Sequence, residues 1–322
     1  MPTLELITIY PVKSLDGLDL AAARMLPGGA LEHDRRWQLI DMEGRVVNAK
    51  RTALLHAIRA EFELAGAVPV GHFIAEAHGA GLAVPAATNL VTLAIDPEAL
   101  ERRAVPGIDR LRGLRPESFP LVPGEAGPCG WLSEALGFDV QLLERIDGGF
   151  PDDCEAAGPT VISTATLAEV ARWFGFDLAE CRRRFRPNLE VGGSDAFWED
   201  TLASPARPEL SPTLAELPAD LPADPYAALP PPEPREFMIG DVRLRATNVC
   251  RRCVVPSRDS RTGAVTEHFR DAFEARRARG LRADVDAAAW SHLYRLAVNT
   301  VGEPGGGRVT VGGAISLGTL AR

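Results

Sequence analysis

Short runs that alternate apolar and polar side chains dominate the first third of the chain. Leu4–Tyr10 reads Leu-Glu-Leu-Ile-Thr-Ile-Tyr, and Gly17–Met25, Arg36–Asp41, Ala57–Leu64 and Val91–Ile95 are further runs of strand type. A period of two puts alternate side chains on opposite faces of a pleated strand, so such runs predict half-buried strands. Asp16-Gly17, Pro27-Gly28-Gly29 and Glu43-Gly44 separate them as turns. Further strands are predicted at Val140–Glu144, Thr160–Ser163, Arg235–Arg245, Arg308–Val311 and Ala314–Leu317. Helical stretches are fewer: Pro97–Arg103, Gly130–Leu136, Thr166–Phe174, Phe269–Arg279 and Ala287–Leu293. In Thr166–Phe174 the apolar residues Leu167, Val170 and Phe174 share a face, and Ser163 or Thr164 is available as the cap. Gly148–Gly158, which contains Phe150-Pro151-Asp152-Asp153, predicts a polar loop. The pattern as a whole is mainly β with some α.

Ten prolines between 203 and 235 break this pattern. Such a stretch favours extended, polyproline-like backbone and predicts a surface insertion rather than part of a core. A length of 322 residues allows one large domain or two ordinary ones; the reading here is 1–120 and 121–322, with the Pro-rich insertion in the second. No apolar run reaches the roughly 18 residues of a membrane span, and the chain begins on a strand pattern instead of a signal sequence, so no membrane association and a cytoplasmic location are expected. Five scattered cysteines do not make a disulfide framework. A net charge of −9 disfavours a nucleic-acid binder.

Candidate chemistry concentrates in four clusters. Tyr10-Pro11-Val12-Lys13-Ser14 ends the first strand, and Asp34-Arg35-Arg36-Trp37 opens another. The third is Arg182-Arg183-Arg184-Phe185-Arg186-Pro187-Asn188-Leu189, and the fourth runs from Ala246 through Cys250-Arg251-Arg252-Cys253 to Gly263. Arg presents a fork of donors suited to phosphate, Lys a point charge, and Asn a donor–acceptor edge suited to a heterocycle. Cys253 follows two guanidinium groups in a turn-rich segment, and nearby positive charge favours the thiolate, the form that attacks electrophiles and ligates metals. Brought together, these clusters would form a cationic pocket for a phosphorylated heteroaromatic ligand beside one thiolate.

The chain resembles the MOSC proteins, the family named for the molybdenum cofactor sulfurase C-terminal domain. It is most similar to the two-domain subgroup of the mitochondrial amidoxime-reducing component and its bacterial relatives. The resemblance lies in Ile9–Ser14 with Gly17, Asp34–Trp37, Ile162–Leu167, Arg184–Leu189, and Arg252-Cys253 through Asp259 with Thr262-Gly263, in the family's order. It implies a β-rich N-terminal domain packed on a MOSC β-barrel with peripheral helices, and a molybdenum–molybdopterin cofactor held between them. It assigns Cys253 as the molybdenum ligand and catalytic residue, and Lys13, Ser14, Arg35, Ser163, Thr164, Arg186, Asn188 and Arg252 as cofactor-binding residues. It implies reduction of N-hydroxylated or N-oxygenated compounds by oxygen-atom abstraction. Neither an iron–sulfur cluster nor haem is expected in this chain, so electrons would come from a separate ferredoxin, flavoprotein or cytochrome-type donor. A monomer is expected.

Other readings of Cys250-x-x-Cys253 stay open at this level. A zinc site needs about four ligands, and neither a second CxxC nor more than one nearby histidine, His268, is present. A redox dithiol belongs at a helix start, whereas these flanks read as strand and turn. Cys253 could also carry a persulfide in a sulfur-carrier or cofactor-handling protein without reductase activity, or the pocket could be a non-catalytic binder.

Overall fold

The alternation that opens the chain becomes β1 (Thr3–Ile9), in which Leu4, Ile7 and Ile9 are buried and Glu5 is exposed. The step from Leu4 to Ile7 breaks the period of two because the register with its partner strand shifts between Leu4 and Leu6. The computed structural model describes residues 1–70, 88–153, 155–204, 235–288, 290–302 and 306–317. The remaining strands are β2 (Leu18–Met25), β3 (Trp37–Asp41), β4 (Val46–Val47), β5 (Ile58–Glu63), β6 (Val68–Pro69), β7 (Leu90–Ile95), β8 (Glu117–Pro120), β9 (Val140–Glu144), β10 (Val161–Ser163), β11 (Leu189–Gly192), β12 (Glu236–Ile239), β13 (Val242–Arg251), β14 (Arg295–Gly302), β15 (Gly307–Thr310) and β16 (Ile315–Leu317). The helices are α1 (Pro97–Arg102), α2 (Cys129–Leu136), α3 (Thr164–Phe174), α4 (Leu178–Phe185), α5 (Asp200–Ala203) and α6 (Phe269–Arg279). The fold is mainly β, as the pattern predicts.

One ten-stranded sheet runs β15-β2-β1-β11-β10-β14-β13-β12-β16, with β6 also paired to β2. Among the described strands only the β10–β11 pair is parallel; its connection is the α3–α4 pair, as parallel neighbours require a crossover. Two three-stranded sheets, β4-β3-β9 and β5-β7-β8, complete the strand set. The main apolar core extends from Leu4 and Ile7 to Phe237, Val298 and Ile315. A second, aromatic core joins Phe185 of α4 and Phe269 and Phe273 of α6 to Tyr294. There Phe269 and Tyr294 meet edge-on at 6.2 Å between centroids, the geometry that ring quadrupoles favour.

Most predicted elements appear within a few residues of their expected bounds, and two departures have clear causes. The helix expected over Ala287–Leu293 does not form among its described residues. The Asp286 carboxylate instead accepts from the Ala288 N–H at 2.9 Å, a local bond that competes with helix formation. Conversely, β14 carries no alternation: Arg295, Leu296, Ala297 and Val298 are all buried, because the strand lies between β10 and β13 in the interior of the sheet. Helix α4 shows little apolar period, since Glu180 and three arginines fill it; Asp177 starts it by accepting from the Glu180 N–H at 2.6 Å. The predicted insertion at 203–235 lies almost wholly outside the described residues. The chain leaves at Ser204 and returns at Arg235, whose N–H bonds to the Leu202 carbonyl at 2.7 Å. Among the described residues no helix is long and apolar enough to cross a membrane.

Candidate functional site

Backbone pairing beyond the end of β1 joins the first two clusters. The Trp37 N–H donates to Pro11 O at 3.0 Å and the Lys13 N–H to Trp37 O at 2.8 Å, while Arg35 N–H reaches Tyr10 O at 2.8 Å. Asp34 caps this junction by accepting from the Tyr10 N–H at 2.8 Å. The third cluster attaches through the Tyr10 hydroxyl, which donates to Pro187 O at 3.1 Å, and through Asn188. The Asn188 side chain donates to Thr8 O at 3.0 Å and accepts from the Thr160 N–H at 3.1 Å and from Arg35 Nη1 at 3.3 Å. The fourth cluster follows β13, and Arg252 ties it to α4 by donating to Phe185 O at 3.1 Å.

All four clusters line one cavity of about 1090 Å³, at the upper end of the size of cofactor pockets. Lys13, Ser14, Arg35, Arg186, Asn188, Arg252 and Cys253 all face it. Eleven Lys and Arg but only six Asp and Glu line the wall, so this cavity is cationic although the chain carries a net −9. Three of the residues hold left-handed backbone: Ser14 at φ 74°, Arg35 at φ 49° and Arg186 at φ 51°. Non-glycine residues there are strained by about 1–2 kcal/mol each, and such strain gathers where side chains must be aimed at a site.

The cations differ in what already satisfies them. Arg35 pairs with Asp34 and lies 3.8 Å from Asp152, and Lys13 pairs with Asp152 at 3.0 Å. Burial opposes the charge of Arg35, but Asp34 and Asp152 override it and hold the guanidinium protonated. Arg252 spends its guanidinium on the Leu296 and Phe185 carbonyls, so it braces the segment before Cys253. Arg186 is different. Its guanidinium lies 4.0 Å from the Tyr10 ring centroid, and among the described residues it has neither a hydrogen-bond acceptor nor a carboxylate at ion-pair distance. Burial lowers its pKa, which marks a desolvated cation in want of an anion.

Ser163 and Thr164 are not brought to this cavity. Ser163 is fully buried as the N-cap of α3, accepting from the Thr166 N–H at 3.0 Å and donating to Asp195 O at 3.1 Å. The Thr164 hydroxyl donates to Glu5 at 2.5 Å. The strand-to-helix turn therefore uses both residues locally, and its amide donors serve the cap and the Glu199 carboxylate.

Cys253 is partly exposed on the cavity wall. Cys250 is buried, and its thiol donates to Asn299 Oδ1 at 2.7 Å; burial raises its pKa to about 11, so it stays a thiol. Asp153 accepts from Asn248 Nδ2 at 3.2 Å and Asn299 Nδ2 at 3.1 Å beside it. His56 also lines the cavity, and its Nε2 is buried without a partner among the described residues. Burial and then the surrounding arginines Arg258, Arg186 and Arg59 lower its pKa to about 4, so the imidazole is neutral. His56 and Asn299 stand alone in sequence, away from the four clusters, and no local signal marks them. Among the described residues no group of three or more His, Cys, Asp and Glu converges as a metal site.

The pocket's donor set suits a phosphorylated cofactor that takes one protein sulfur ligand: a guanidinium unpaired among the described residues and a thiol face one cavity. Comparison with known families gives a match to the first part of the chain. Residues 1–92 match the MOSC N-terminal beta barrel domain, a span that includes Lys13, Ser14 and Arg35. No curated protein matches the chain.

Proposed function

We propose that the chain binds the molybdenum–molybdopterin cofactor in this cavity and reduces N-hydroxylated or N-oxygenated compounds. The observation that carries the reading is the Arg186 guanidinium, without an acceptor among the described residues, on the same wall as Cys253. Lys13, Ser14, Arg35 and Arg186 would hold the phosphate and pterin, and the Cys253 sulfur would ligate molybdenum, a soft ligand for a metal of sulfur-rich ligation. When bound, the cofactor would supply the two-electron redox change that takes an oxygen atom from an N–O bond. The overall conversion consumes two electrons and two protons and releases water. Electrons would arrive from a separate ferredoxin, flavoprotein or cytochrome-type donor.

The remaining residues act through these. Asn188 fixes Arg35 against Thr8 and Thr160, and Arg252 fixes the turn that presents Cys253. Cys250, held as a thiol by burial, is a neighbour of the site and not a second ligand.

The test compares wild-type protein with Cys253→Ser, both made in a host that synthesises the cofactor. Metal analysis and pterin release should show molybdenum in the wild type and a strong loss in the variant, with the fold unchanged by circular dichroism. Wild-type protein should reduce benzamidoxime or hydroxylamine with an artificial electron donor, and the variant should not. A wild type that holds molybdenum but reduces neither compound would leave a cofactor-handling or sulfur-carrier role; equal activity in both proteins would remove Cys253 from the mechanism.

A further inference from the structure

We propose that Asp152 is an internal competitor for the anion subsite formed by Lys13 and Arg35, and that it weakens the binding of any anion there by a common factor. The proposal rests on the anion-binding reading of the cavity. Asp152 Oδ1 lies 3.0 Å from Lys13 Nζ, and Oδ2 lies 3.8 Å from Arg35 Nε. One carboxylate thus spans the two cations as two oxygens of a bound phosphate would.

The loop that carries Asp152 is held on both sides. Before it, Phe150 N–H donates to Arg35 O at 2.8 Å and Phe150 O accepts from Lys13 Nζ at 3.2 Å. Gly149 makes that approach possible: it sits at φ 61°, and a Cβ there would come within 2.6 Å of Asp34 O and 2.7 Å of Arg35 O. After it, Asp153 is anchored by Asn248 and Asn299. The backbone therefore delivers residue 152 to the cations whether or not its side chain engages them.

The side chain itself is 62% exposed. It can rotate into water and lose only the ion pair, with no change in the loop. Arg35 and Lys13 outweigh burial and hold its carboxyl at about 2, so Asp152 is an anion at any ordinary pH. A partly exposed ion pair of this kind favours the engaged rotamer by about fivefold, and a ligand's apparent affinity falls by the same factor. The carboxylate must leave before a monoanion or a dianion can bind, so the factor is the same for both. A dianion gains roughly twice the Coulomb energy from the same two cations, and it keeps that advantage whether or not Asp152 competes.

The experiment titrates protein purified without cofactor at pH 8 and low ionic strength, with inorganic phosphate and with formate as probes. Asp152→Asn keeps the shape and removes the charge. Glu155→Gln removes a charge from the same loop, at a side chain that lines the cavity but makes no ion pair among the described residues. Asp152→Asn should bind phosphate and formate each about fivefold more tightly than wild type, because both compete with the same carboxylate. Glu155→Gln should stay within about twofold of wild type, and thermal melts should confirm that both variants fold. If wild type binds phosphate and Asp152→Asn binds it no more tightly than Glu155→Gln does, Asp152 is not a competitor. If neither wild type nor Asp152→Asn binds phosphate at millimolar concentration, the anion-binding reading fails as well.

Discussion

Replacing Arg186 separates what its backbone costs from what its side chain does. Arg186 ends α4 at φ 51° and ψ 51°, with its N–H bonded to Arg182 O at 2.7 Å. An L side chain in that conformation costs about 1–2 kcal/mol, and glycine gives back about 0.5–1 kcal/mol of the relief as extra freedom in the unfolded chain. The backbone term thus favours glycine over alanine by roughly 0.5–1 kcal/mol. Both substitutions lose the contact with Tyr10 at 4.0 Å, worth about 0.5–2 kcal/mol, so it cancels between them. Both also remove a half-buried cation that lacks an acceptor among the described residues. The expected result is that Arg186→Gly is more stable than Arg186→Ala by about 0.5–1 kcal/mol in urea titrations. Both variants should lose phosphate affinity by about tenfold or more, the worth of a charge-assisted bond to an anion. Equal or reversed stabilities would refute the strain argument. Wild-type phosphate affinity in both variants would refute the role given to the guanidinium.

Asn188→Ala should destabilise the protein by about 2–4 kcal/mol in denaturant titrations, because it strands the Thr160 N–H and the Thr8 carbonyl in a site only 2% exposed; a loss below about 0.5 kcal/mol would show that water replaces the amide. Glu199 is fully buried, and burial followed by the neighbouring Asp200 raises its pKa to about 8. The folded state then keeps a proton that the unfolded state releases near pH 4.5, so this group's contribution falls as pH rises from about 4.5 to about 8, by up to about 1.4 kcal/mol per pH unit, and levels off above. Glu199→Gln should therefore gain stability relative to wild type across that window, as paired urea titrations at pH 5 and pH 8 would show; a gap that does not widen with pH would mean that Glu199 is ionised in the fold.

Most of the strands were legible because their two faces meet different surroundings, as in β1 and β5, where burial alternates. Where a strand is buried on both faces the signal vanishes, as in β14. Where a helix carries charges for other elements, as α4 does with Arg182 pairing to Glu190 at 2.6 Å, the apolar period is too sparse to read.

The sequence alone determined which residues could do chemistry: the order of the four clusters, the thiol at Cys253, and the surplus of guanidinium groups near it. Their convergence on one cavity was an expectation until the pairing of Tyr10–Lys13 with Arg35–Trp37 and the placement of Asn188 against Thr8 brought them together. Only the tertiary structure decided which of them remain available. An arginine's role depends on the acceptors within about 3 Å of its nitrogens, and those come from distant parts of the chain. Leu296 and Phe185 carbonyls occupy Arg252, the α3 cap occupies Ser163, and Glu5 occupies Thr164. Arg186 has no acceptor among the described residues, and the local sequence Arg-Phe-Arg-Pro-Asn holds nothing that tells it apart from Arg184, which Glu180 satisfies at 2.6 Å.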